Sequence, residues 1–138
     1  MILHITGERD YATVRRRVRR EGYRIVATTD RIGAAYSAAD LVLSRAGSGV
    51  WEVAAAGKPA ILVPYPFATA DHQAKNADYF VRAGGAIMVP ELELDEVPEH
   101  VRSMLDDPDH LERMGAAMLR VARPDAAEEI AEGLIELA

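Results

Sequence analysis

Short apolar runs alternate with stretches of helical period along this chain. That is the pattern of parallel strands, buried on both faces and joined by crossover helices. Ile2-Leu3-His4-Ile5 reads as the first strand. A helix over residues 10–21 follows Thr6-Gly7-Glu8, with Tyr11, Val14 and Val18 on one face and Gly22 ending it. A strand over 23–28, a short helix over 32–38 and a strand over 41–43 come next. A glycine-rich stretch then opens a helix over 49–56 that stops at Gly57. Ala60-Ile61-Leu62-Val63, between Pro59 and Pro64, is a strand without a polar position. A loop of small residues and proline (65–70) leads to a helix over 71–83, with Asp71 as its N-cap. Gly84-Gly85 breaks the chain before a last strand over 86–89. The remainder is helical: 95–105, then a helix to about residue 122 opened by Asp107-Pro108 as N-cap and first-turn proline, then a final helix from Arg123-Pro124-Asp125 to residue 137. The fold class is therefore α/β: a Rossmann-like parallel sheet of about five strands flanked by helices, with a helical C-terminal tail, in one domain spanning 1–138. No internal repeat or interdomain linker is visible.

The bulk numbers remove several function classes. At 138 residues, 49% hydrophobic and 28% charged, the chain fits one globular domain. A formal net charge of −6 argues against general nucleic-acid binding. With no cysteine there is no disulfide, thiol catalysis or thiolate metal site, and the composition fits a reducing cytoplasm. No apolar run approaches the roughly 20 residues that span a bilayer, so direct membrane insertion is not expected. Glu8, Arg9 and Asp10 interrupt any leader-like pattern. His100 and His110 lack ligand-like spacing, and no metal or cofactor is expected.

The most informative stretch is Ser44-Arg45-Ala46-Gly47-Ser48-Gly49-Val50-Trp51-Glu52. A glycine-rich turn where a strand ends and a helix begins leaves backbone N–H groups pointing outward at the positive end of the helix dipole, a setting suited to phosphate. Glu52, about one turn into the helix, is placed to accept hydrogen bonds from sugar hydroxyls. In a doubly wound sheet, ligands lie beyond the carboxyl ends of strands. The loops after Thr28, Leu43 and Val63 then face one crevice, bringing Thr29, residues 44–52 and residues 65–73 together. Each residue also has a plainer reading. The glycines could form only a helix-entry turn. Glu52 could be a solvated first-turn acid, although its neighbours Trp51, Val53 and the alanines make that less convincing. Arg45 fits a salt bridge buried near the strand end better than catalysis, and Trp51 fits packing. His4 reads as a satisfied core histidine.

Three segments together resemble the MurG family, the UDP-N-acetylglucosamine:lipid-linked muramyl-pentapeptide N-acetylglucosamine transferases of peptidoglycan synthesis. They are Ala39-Asp40-Leu41-Val42-Leu43-Ser44-Arg45-Ala46-Gly47, Glu52-Val53-Ala54-Ala55-Ala56-Gly57-Lys58-Pro59-Ala60-Ile61-Leu62-Val63-Pro64 and Asp71-His72-Gln73-Ala74-Lys75-Asn76-Ala77. His4-Ile5-Thr6-Gly7 and Arg123-Pro124-Asp125 add to the likeness. It implies the C-terminal, donor-binding half of a GT-B glycosyltransferase, two Rossmann-like domains across a cleft. The likeness does not extend to the family's Gly-Gly-Ser phosphate loop, so the first βα unit and the N-terminal acceptor domain, with its base and membrane-associating patch, are expected to be absent. They would lie on a missing domain or a partner chain.

By resemblance the donor is UDP-N-acetylglucosamine. Glu52 matches the ribose-binding glutamate. Thr29 and Ile32 match positions beside the uracil. Gly47, Ser48, Gly49 and Val50 match the segment near the diphosphate and sugar. His72 and Gln73 match a polar pair contacting the sugar hydroxyls, and Asn76 belongs to that pattern. The turn between Arg45 and Glu52 is one residue shorter than is usual in the family. The family inverts the anomeric carbon in one displacement without a fixed protein metal site. The isolated chain is expected to be inactive and to carry no catalytic base, and the parent enzyme is expected at the inner face of the plasma membrane. A non-catalytic nucleotide-sugar binder, a remnant module, or a UDP-sugar transferase with another lipid acceptor remains an alternative. The run Arg15-Arg16-Arg17-Val18-Arg19-Arg20 is offset by Glu8, Asp10 and Glu21 and reads as the polar face of a helix. A sheet lacking one strand would expose an edge, so self-association is expected.

Overall fold

The computed structural model describes residues 1–137, apart from the side chain of Ala70. The chain forms two compact units, Met1–Ala35 and Tyr36–Ala138.

In the first unit, β1 (Ile2–Ile5) pairs in parallel with β2 (Tyr23–Val26), in the register Ile2 to Tyr23 and Ile5 to Val26. The helix between them, α1 (Glu8–Arg17), carries Glu8 and Asp10 in its first turn and Arg15, Arg16 and Arg17 in its last, which suits the helix dipole. It stops short of residue 21 because Val18 is already extended, and Gly22 makes the turn into β2 with a φ of 75°. His4 Nδ1 and the Tyr23 hydroxyl share a 2.9 Å hydrogen bond across the two strands, so the histidine is satisfied as expected but half-buried rather than in a core. Ile2, Leu3 and Ile5 are exposed. The helix α2 (Ile32–Ala38) begins in this unit.

The second unit holds β3 (Val42–Arg45), α3 (Val50–Ala55), β4 (Ala60–Val63), α4 (His72–Arg82), β5 (Ala86–Met88), α5 (Val97–Leu105), α6 (Pro108–Val121) and α7 (Ala126–Glu136). Its sheet has the order β3-β4-β5, all parallel. All four residues of the central strand β4 are buried, which is why its sequence has no polar position. Its side chains alternate between faces. Ala60 and Leu62 join Val50, Val53, Phe80 and Met118 in one core cluster, while Ile61 and Val63 join Val89, Val97, Met104 and Met114 in the other.

The turns that aim the loops have identifiable causes. α3 and α4 both end in a glycine of positive φ, Gly57 (63°) and Gly84 (80°). At each end the paired bonds of a Schellman motif close the helix: Lys58 N to Val53 O at 3.2 Å with Gly57 N to Ala54 O at 2.9 Å, and Gly85 N to Phe80 O at 3.0 Å with Gly84 N to Val81 O at 2.9 Å. Asp107 caps α6, its Oδ1 accepting from His110 N at 2.9 Å. Asp71 does not act as the expected N-cap. It ends a 3-10 turn (Thr69–Asp71) in the left-handed region, with φ 56°, and its side chain accepts no capping bond. A second 3-10 segment, Glu91–Glu96, precedes α5.

Candidate functional site

The site of interest lies in the second unit, at the carboxyl edge of β3 and β4. Arg45 ends β3, and Ala46 beyond it is fully buried, fixing the start of the glycine turn. The turn is tight. Val50 N donates to Gly47 O at 3.2 Å, Trp51 N to Ser48 O at 3.1 Å and Glu52 N to Gly49 O at 3.1 Å. These bonds satisfy the first amides of α3 from within. Among the described residues, the amides of Gly47, Ser48 and Gly49 just before it meet no protein acceptor. Successive backbone amides without a protein acceptor are the groups from which anion-binding concavities are built.

Glu52 follows on the exposed face of α3, while its neighbours Val53 and Ala54 turn into the core. The carboxylate is therefore not aimed into the apolar interior. Tyr36, on α2, senses it: the phenol is pushed above its ordinary value, first by burial and second by the negative charge of Glu52.

Gln73 and Asn76, on the first turns of α4, reach back to the glycine turn. Asn76 Nδ2 donates to the Ala46 carbonyl at 3.2 Å. Gln73 Oε1 accepts from the Tyr65 amide at 2.9 Å, and its Nε2 lies 3.9 Å from the place a Cβ on Gly47 would occupy. Half of each carboxamide is thus occupied in bracing the loops. The Gln73 nitrogen remains beside the turn. His72 is exposed, and its Nδ1 lies 2.8 Å from the Thr69 carbonyl. A carbonyl only accepts, so Nδ1 carries the hydrogen, which leaves Nε2 as the other polar atom of the ring.

The structure thus brings Gly47, Gln73 and Asn76 together, with Ser48, Gly49 and Glu52 on the same turn and helix. Val50 takes a packing place: its side chain is fully buried and its amide is bonded to Gly47 O. Thr29 and Ile32 belong to the first unit. Thr29 Oγ1 accepts from the Arg31 amide at 3.0 Å, and Ile32 opens α2. Trp51 packs against Phe80, with ring centroids 5.0 Å apart, as a packing residue should. Arg45 pairs with Glu91 as the expected salt bridge, but the pair is exposed rather than buried, because its acid comes from a loop at the rim of the sheet. The bracing role of Gln73 and the part played by Tyr65 and Glu91 were missed from the sequence. Each depends on a contact between loops far apart in the chain, which local spacing does not reveal.

A parallel α/β unit with helices on its crossovers and a glycine turn at a strand's carboxyl edge is the architecture of a Rossmann-like domain. Comparison with known proteins narrows this class. Residues 1–130 match the family described as Glycosyltransferase family 28 C-terminal domain, and the chain belongs to that family. Among curated relatives, the UDP-N-acetylglucosamine--N-acetylmuramyl-(pentapeptide) pyrophosphoryl-undecaprenol N-acetylglucosamine transferase of Nitratidesulfovibrio vulgaris (strain DP4) is 42% identical, over 99% of this chain and 39% of its own length. The transferase of the same name from Chlorobium limicola is 43% identical over 96% of this chain and 38% of its own length. The crystal structure of Acinetobacter baumannii MurG superposes with a TM-score of 0.86 at 28% identity, covering 99% of this chain and 41% of that one. The chain therefore spans about 39% of the length of the first of these relatives. Among the described residues, no helix is long and apolar enough to cross a membrane.

Proposed function

We propose that this chain is the donor-binding part of an inverting N-acetylglucosaminyltransferase that takes UDP-N-acetylglucosamine and serves a lipid-linked muramyl-pentapeptide acceptor in peptidoglycan synthesis. It works as one UDP-sugar-binding domain. The acceptor site and the base that deprotonates the acceptor hydroxyl are supplied by an N-terminal domain or partner chain, at the cytoplasmic face of the plasma membrane, so the isolated chain is inactive. The observation that carries this reading is the braced glycine turn, with three amides lacking a protein acceptor and Glu52 facing solvent one turn on.

In this reading the amides of Gly47, Ser48 and Gly49 meet the diphosphate. They are fixed before the ligand arrives, so charge developing on the departing UDP is met at low reorganisation cost. The Glu52 carboxylate accepts from the ribose hydroxyls. The Gln73 nitrogen donates to the N-acetylglucosamine hydroxyls, and His72 Nε2 bonds to one. Asn76 and Val50 hold the turn in place.

Titration calorimetry with UDP-N-acetylglucosamine, UDP and UMP tests it. The wild-type chain should bind the first two. Glu52→Ala should weaken both by roughly 10- to 100-fold, the effect of losing hydrogen bonds to a charged group. Absence of binding at millimolar nucleotide would show a remnant module instead.

A further inference from the structure

Arg45 lies at the end of β3, and its guanidinium group touches two other carboxyl-edge loops. Its Nη1 donates to the carboxylate of Glu91, the first residue of the 3-10 segment that follows β5. The same nitrogen lies 3.5 Å from the carbonyl of Pro64, the residue that follows β4. The guanidinium carbon sits 5.7 Å from the centroid of the Tyr65 ring, and Tyr65 packs edge-on against Phe67 at 5.6 Å. The Arg45 hydrogen bond holds the Glu91 carboxyl below the usual carboxylate range. One planar cation thus ties the ends of three parallel strands together. Lysine has neither the fork nor the flat face to do this.

The tether continues toward the donor site. The Tyr65 amide, next to the Pro64 carbonyl, donates to Gln73 Oε1 at 2.9 Å. That bond fixes which end of the Gln73 carboxamide faces Gly47. We propose that Arg45 is a positioning residue for sugar selectivity. By anchoring Pro64 and Tyr65 it sets the orientation of the Gln73 carboxamide, and so the preference for UDP-N-acetylglucosamine over UDP, without touching the ligand. This rests on the donor-site reading above. The diphosphate and ribose contacts of the glycine turn and Glu52 do not pass through Tyr65, so they survive when Arg45 is changed.

Two measurements on the whole chain test the proposal separately. The first is amide hydrogen exchange, which needs no ligand. Arg45→Ala and Glu91→Gln should speed exchange at the Tyr65 amide about tenfold or more while the β4 amides stay protected. Unchanged exchange at Tyr65 would overturn the positioning role whether or not the chain binds a nucleotide. The second is calorimetry with UDP and UDP-N-acetylglucosamine on wild type, Arg45→Ala, Arg45→Lys and the exchange R45E/E91R. Arg45→Ala should cut the preference for the sugar nucleotide about tenfold, the size of one oriented hydrogen bond, with UDP affinity within about twofold. Arg45→Lys should recover little of this preference, and the charge exchange part of it. Equal losses for both ligands would make Arg45 a general support of the turn and overturn the selectivity role, as would an unaltered preference. A wild-type chain that binds neither nucleotide removes the donor-site reading and the selectivity with it, while the exchange result still decides whether Arg45 orders the loop.

Discussion

Gly115 and Gly133 both lie inside helices, yet the same substitution should move stability in opposite directions. A Cβ on Gly115, in α6, would lie 2.6 Å from the Gly57 carbonyl oxygen and 3.8 Å from Pro59 Cδ. Non-bonded heavy atoms need roughly 3.5 Å, so α6 would have to retreat by about 0.9 Å. The Gly57 carbonyl cannot yield, because the Schellman closure of α3 holds it on one side and Pro59 leads directly into β4 on the other. The retreat would loosen Met114, Ala117 and Met118, all buried in the core. Overpacking costs about 1–3 kcal/mol, and a clash with backbone that cannot yield falls in the upper part of that range, about 2–3 kcal/mol, offset by a gain of about 1 kcal/mol from replacing glycine within a helix. Gly115→Ala should therefore destabilise by about 1–2 kcal/mol. Gly133, in α7, has nothing within 4 Å of an added Cβ, so Gly133→Ala should add about 0.5–1 kcal/mol. Urea unfolding, followed by Trp51 fluorescence and far-ultraviolet circular dichroism, reads both. With a slope of about 2 kcal/mol per molar, Gly115→Ala should lower the midpoint by about 0.5–1 M. A Gly115→Ala midpoint equal to or above wild type would refute the reasoning, as would both variants moving the same way.

The alanine variant of Asp107 should cost about 1 kcal/mol, because it leaves the His110 amide at the start of α6 without its acceptor; an unchanged urea midpoint would contradict the cap. Tyr36 gives a pH dependence. Its folded phenol titrates above the ordinary value of 10.0, so its contribution is fully present below about pH 10 and lost as pH rises through the folded value. Tyr36→Phe should flatten the alkaline fall in stability, and midpoints measured from pH 8 to about 11.5 would disprove this if the two proteins fell in parallel. Glu52→Gln should shift the Tyr36 titration only partway back, since burial is the larger cause. Spectrophotometric titration of the phenol checks that.

Where local chemistry decides, the sequence was readable. Ala60-Ile61-Leu62-Val63 is apolar at every position because both faces of β4 are covered, and Asp107-Pro108 opens α6 as such a pair should. Among the described residues, the five strands and seven α-helices lie where the apolar runs place them, with ends displaced by a few residues, although the strands form a two-stranded and a three-stranded sheet rather than one sheet of five. Those displacements trace to backbone conformations that composition does not announce. Val18 leaves the helix early. Asp71 adopts a left-handed conformation in place of a cap. Arg45 extends β3 to meet Val63 in the ladder. The glycine turn and the outward Glu52 were legible because glycine spacing and the alanine run behind it are local signals. The bonds from Gln73 to Tyr65 and from Asn76 to Ala46 were not, since they join residues 8 and 30 positions apart. His72 and Gln73 each spend one polar atom on the protein's own backbone, at the Thr69 carbonyl and the Tyr65 amide.

The two-sided packing of β4 also dictates where this domain tolerates changes of length. One residue added within 60–63 would carry Leu62 out of the cluster of Phe80 and into that of Met114, and every following side chain would change sides with it. The turn between Arg45 and Val50 carries no such parity. Changes of length are therefore expected to be tolerated in the rim loops and not within the strands, where the interior must keep its count.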